Sequence, residues 1–168
     1  MKIIGLDLGH RGTREAEHWL AHLPAVPGLV ACTHLVHGER PRVVITVAVA
    51  DDETLPPLRS TPDGGALDAA VADHEAGRGG RAVIYPGVEK LTGELTVAEL
   101  LAASAIGRVR LLGAAVTEPE PDTVVDTRDF VRPQWMDGRL TLVATPAPAG
   151  RIAPFEVPNP TPCCGAEH

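Results

Sequence analysis

The side chains best suited to hold something lie at the far end of this 168-residue sequence. Cys163, Cys164 and His168 place two sulfurs and an imidazole on one short segment. Thiolate with imidazole is a donor set for zinc or cuprous copper. Cys32 and His34 alternate onto one face of a strand and offer a further ligand, with His37 on the opposite face. Zinc sites usually separate their cysteines by two to four residues, and neighbouring cysteines bend awkwardly toward one ion. The competing reading is a plain tail that docks against the domain or a partner.

Three other constellations have chemical potential. His18 and His22 stand four apart on a helical stretch, with Glu15 one turn earlier, a spacing that can clamp a divalent cation. The Glu that must follow the first His in a zinc-hydrolase helix is missing, so a solvated face competes. Asp126-Thr-Arg-Asp129 reads as strand, with Asp126 and Arg128 on one face and Asp129 on the other. Two carboxylates and an Arg can do acid–base work, but more often they form a weak surface ion pair. The opening Ile3-Ile-Gly-Leu-Asp-Leu-Gly9 resembles the first phosphate-binding strand and turn of actin-like kinases. It also resembles the first catalytic strand of RNase-H-type nucleases. The resemblance implies that Asp7 handles a metal or a phosphate. In those folds the turn leads into a second antiparallel strand, whereas here Gly12-Thr13 leads straight into a helix. There is no G-x-S-x-G, no Walker lysine motif and no G-x-G-x-x-G.

The elements that must position these groups centre on residues 29–50. Two β-rich runs flank a polar break holding Gly38 and Pro41, which is a hairpin signal. On the second run Val43, Ile45, Val47 and Val49 share one face. Before it, residues 2–8 read as a strand, and Thr13 can cap a helix with its apolar stripe at Ala16, Trp19, Leu20 and Leu23. After it come a loop over 51–64, a helix over Ala66–Ala76 with Leu67, Ala70, Val71 and His74 along one side, and a strand over Arg81–Tyr85. The order βαββαβ over residues 1–88 is the ferredoxin-like, split-βαβ pattern.

Residues 89–157 read as a β-rich extension with one short helix. The helix is marked by the capping box Thr96-x-x-Glu99. Strands are expected over Val109–Thr117, Val124–Val131, Arg139–Thr145 and Ile152–Val157, with Asp137-Gly138 as a turn. Residues 158–168 carry three prolines in the first five positions and read as an extended arm.

Composition narrows the function classes. Aromatic residues make up 3% of the chain, too few for a base-stacking surface. The formal net charge is −7 and the only lysines are Lys2 and Lys90, so neither nucleic acid nor an anionic membrane is expected as a partner. No apolar run reaches the length of a membrane span or a signal peptide, and three cysteines form no disulfide framework, so a cytoplasmic location is expected. The Arg, Ala, Gly and Pro bias reads as codon usage in a GC-rich bacterium. The sequence favours an α+β, non-catalytic accessory or protein-interaction module, able to pair with a partner or a second copy through a sheet edge or the C-terminal arm. The alternatives are a zinc- or copper-binding protein using Cys163, Cys164, His168, Cys32 and His34, and a phosphate- or metal-dependent enzyme built on Asp7.

Overall fold

A computed structural model of the chain describes residues 1–50, 64–113 and 118–158. The elements follow in the order β1 (Lys2–His10), α1 (Thr13–Leu20), β2 (Val30–Val36), β3 (Arg42–Val49), α2 (Gly64–Glu75), β4 (Arg81–Ile84), β5 (Glu94–Thr96), α3 (Val97–Ala103), β6 (Arg108–Leu111), β7 (Val124–Asp126), β8 (Gln134–Met136), β9 (Arg139–Pro146) and β10 (Ile152–Pro154). The fold is mixed α+β. Among the described residues the strands form one sheet in the order β1-β3-β2-β4-β8-β9-β10-β7-β5, with β6 parallel to β9 on its free edge.

The hairpin is present, with β3 antiparallel to both β2 and β1. β1 and β2 therefore run parallel with β3 between them, which is a split βαβ unit. The ferredoxin-like arrangement goes no further. It would place the fourth strand beside the first and both helices on one face. Instead β4 lies beside β2, pairing Thr33 with Arg81. α1 packs Ala16 and Leu20 against Leu6, Val43, Ile45, Val47 and Val49. α2 covers the opposite face: a Cβ built on Gly5 would lie 2.9 Å from Leu67 and Val71, so the missing side chain is what lets this helix approach. β3 is buried from Val43 to Val49 without a break because both its faces are covered.

Some local expectations change with the backbone. Thr13 is the first residue of α1 rather than its cap; Gly12 takes that position and offers no side-chain bond. The strand expected over Val124–Val131 stops at Asp126, because Arg128 and Asp129 adopt φ of 53° and 52°, which no strand can use. The one expected over Ile152–Val157 stops at Pro154, and the one over Val109–Thr117 is Arg108–Leu111, with residues 114–117 outside the described ones.

The capping box of α3 is formed, Thr96 and Glu99 each bonding the other's backbone N–H. Asp137 and Gly138 join β8 to β9 with positive φ at both positions, as a type I′ hairpin turn requires. A second apolar cluster gathers Leu100, Val125, Leu140 and Leu142 from this half, and takes in Cys32, Ala82 and Tyr85 from the first.

Candidate functional site

The face of the β1–β4 sheet beneath α2 carries the polar groups. Strand alternation sends Cys32 and His34 of β2, and Thr46 of β3, to this side. His74 reaches it from the last turn of α2. The Thr46 hydroxyl lies 2.8 Å from His34 Nε2 and 2.7 Å from His74 Nδ1, and Thr46 is fully buried. A hydroxyl has one proton to donate, so it gives it to one ring and accepts an N–H from the other. This chain stays satisfied with both rings neutral, or with one protonated. With both protonated, two N–H groups point at the same oxygen and the hydroxyl proton has no acceptor.

The surroundings favour the neutral forms. Burial pushes His34 down to about 4, helped by the charge of His74 and opposed by that of Asp73. Burial also lowers His74, whose ring lies 5.9 Å from that of Trp135. Cys32 is sealed beside them. Burial drives its thiol up to about 12, with the Trp135 indole N–H pulling the other way. That N–H makes no geometric hydrogen bond to any described residue, so its pull on the sulfur is a weak electrostatic contact.

His34 opens onto a cleft of about 460 Å³ at the carboxyl end of β2. Ala66, Ala69, Ala70 and Asp73 of α2 form one wall, and Gly79, Gly80, Arg81 and Gln134 form the other. Gly80 has φ of 82°, and a Cβ there would sit 2.6 Å from the His34 ring. Its lack of a side chain is what leaves room for the imidazole.

Arg81 borders this cleft and a second one of about 390 Å³ beside Phe130 and Phe155. Nε and Nη2 of its guanidinium are engaged, whereas Nη1 is buried with no hydrogen-bond partner among the described residues. Nε donates to both Glu156 oxygens at 2.6 and 2.7 Å, and Nη2 donates to Glu17 Oε1 at 2.6 Å. Arg132 holds the other Glu17 oxygen at 2.8 Å and stacks 4.3 Å from the Phe130 ring. Burial works against the Glu17 charge, but Arg132 and Arg81 outweigh it and hold the carboxyl below its ordinary range. Two Arg and two Glu balance within this cluster; Asp73 also lines the first cleft and Arg14 the second.

The structure brings together only part of what the sequence suggested. Cys32 and His34 share a face, but with Thr46 and His74 rather than with a tail; Cys163, Cys164 and His168 lie outside the described residues. Among the described residues no group of three or more His, Cys, Asp or Glu side chains is placed to hold a metal ion. His37 is exposed in the turn after β2. His18 and His22 have ring centroids 4.9 Å apart, but α1 ends at Leu20, His22 bonds back to the His18 carbonyl, and Glu15 is taken by the Arg11 N–H.

Asp7 is 4% exposed, accepts from Arg42 at 2.7 Å and from the Gly9 N–H at 3.0 Å, and sits in an irregularity of β1 between Leu6 and His10. Asp126 and Asp129 accept the N–H groups of Arg128 and Gly93, and so build a turn. Sequence reasoning placed His74 on an apolar stripe of its helix and passed over Thr46, a lone Thr in a run of Val. The interrupted apolar run was the one available signal. Comparison with protein-family models, with curated proteins and with solved structures finds no match to this chain.

Proposed function

We propose that this chain is a non-catalytic binding module that takes a protein partner in the cleft between α2 and the end of β2. One observation carries the reading: three groups best suited to chemistry there are each tied to a neighbour or buried. His34 is held neutral against Thr46, Arg81 is neutralised by Glu17 and Glu156, and the nearby Cys32 is a buried, protonated thiol. What remains is a shaped, largely apolar recess with a few fixed polar atoms, which suits recognition more than turnover.

A photo-crosslinking residue at Ala69, exposed on the cleft wall of α2, tests this in the native host. A polypeptide captured from position 69, but not from the exposed Arg128 turn, is the expected result. Failure to capture a polypeptide from position 69, or a turnover by the purified chain that vanishes in His34→Gln, would count against it.

A further inference from the structure

The ladder between β2 and β4 stops early. β2 stays paired with β3 as far as Val36, but with β4 only from Ala31 to Thr33. Gly79 and Gly80, with φ of 62° and 82°, turn the chain away, and their backbone groups bond to Trp135 instead. Along the edge this leaves open, the backbone direction can be worked out. Ala82 gives its N–H to Pro133, on the far side of β4. Arg81 therefore turns its N–H and C=O toward β2, opposite Thr33. With a period of two, Leu35 turns its own N–H and C=O the same way, into the cleft, with no strand beside it among the described residues. Its side chain is 64% exposed.

We infer that this open edge is a strand-addition site: an extended segment of a partner protein pairs with β2 at Leu35, under α2. The inference rests on the binding-module reading above and names how the partner is held. An N–H and C=O at the base of a cleft, with no strand partner among the described residues, call for backbone, and an extended chain supplies it. The facing positions of α2, Ala66, Ala69 and Ala70, leave side-chain room above the edge. Charge narrows the partner further. Asp73 at the cleft wall is about half exposed and meets Arg78 only at 3.6 Å, whereas Arg81 is already neutralised. The segment therefore carries small or apolar side chains on the cleft side and a Lys or Arg within reach of Asp73.

The test selects random octapeptides from a displayed library on the full chain, and measures the synthetic winners by fluorescence polarisation. Each winner is also made in two forms, N-methylated at one or the other set of alternate residues. Strand addition uses one set only, so one form should bind at least roughly tenfold more weakly and the other about as well as the parent. Leu35→Pro, which removes the cleft-facing N–H, should cost a similar factor, and Asp73→Asn should weaken winners that contain Lys or Arg. Because the methylated peptides leave the protein unchanged, the test survives if Leu35→Pro folds poorly.

Winners indifferent to both methylations but lost with Ala69→Arg would overturn strand addition and leave the binding module standing. No winners, or winners indifferent to Ala69→Arg as well, would overturn both. Winners that reproduce a segment of this chain, together with a dimer in light scattering, would replace the partner protein with a second copy and end this inference.

Discussion

One strand, β3, serves two different interiors. On the α1 side Val43, Ile45, Val47 and Val49 meet Leu6, Ala16 and Leu20 in an apolar cluster, with buried Thr33 opposite Ile45. On the α2 side Val44, Thr46 and Ala48 meet His34 and His74, and Arg42 continues that face with its ion pair to Asp7. The first interior rests mainly on shape and apolar area, with the Glu17 ion pairs to Arg81 and Arg132 at its margin. The second must also satisfy every buried polar atom, and its stability depends on which protons are present. The α1 face anchors the fold, whereas the α2 face gives the molecule its specific, condition-dependent features and borders the cleft.

The largest expected effect separates the two. Ile45→Ala removes a fully buried side chain from the apolar interior and should destabilise by about 3–4 kcal/mol, read from the midpoint of denaturant unfolding. That loss should be the same at pH 7 and pH 5, since Ile45 packs among apolar side chains. A loss that changed with pH would mean the two interiors are coupled through the sheet.

The α2 face should respond the other way, to pH. Unfolded His34 takes up a proton near pH 6.5, but folded His34 only near 4. Between those values the unfolded state binds more protons, so stability falls as pH drops from about 6.5 to 4 and then levels off from this source. Burial lowers His74 as well, and it adds in the same direction. The full His34 shift corresponds to about 3 kcal/mol at most. The one-proton limit of the Thr46 chain also disfavours charging both rings. Unfolding midpoints at half-unit steps should show the slope in the wild type and lose most of it in the double variant His34→Gln with His74→Gln. An unchanged slope would mean the two rings titrate as they do in water.

How much of this was legible in the sequence depends on range. Local signals came through: the Thr96–Glu99 capping box, the Asp137-Gly138 turn and the hairpin are all where the residues put them. In the β3 run, alternation places Val43, Ile45, Val47 and Val49 on one face. Its unbroken Val-Val-Ile-Thr-Val-Ala-Val composition fits a strand covered on both. That difference hides α2 on the second face and with it the departure from the ferredoxin-like order. The site was half legible. Alternation singled out Cys32 and His34, but their companions lie 12 to 40 residues away from His34 and were marked by no spacing rule. The Arg81 cluster joins residues 64 and 75 positions apart, Glu17 and Glu156, which no local pattern connects.

A smaller effect probes the chain of hydrogen bonds itself. Thr46→Val keeps the volume and removes the hydroxyl, leaving ring nitrogens of His34 and His74 without it. The expected cost is about 1–2 kcal/mol. If Thr46→Val were as stable as the wild type, the α2 face would be held by packing alone, like its opposite.

The smallest effect is the most pointed. Proline in a strand removes one N–H, and the damage depends on which way that N–H points. At His34 the N–H faces β3, so His34→Pro breaks a ladder bond as well as the contact with Thr46, and should cost more than about 3 kcal/mol. One residue on, the Leu35 N–H faces the cleft, where no strand of the described residues lies. Leu35→Pro should therefore cost only about 1 kcal/mol or less, because an edge strand tolerates proline where its N–H looks outward. Amide exchange in the wild type gives the same contrast without a substitution: the His34 amide should be protected and the Leu35 amide fast. Two prolines of equal cost, or two amides of equal protection, would mean that β2 is paired on both edges through to Val36. The cleft would then have no open backbone to offer.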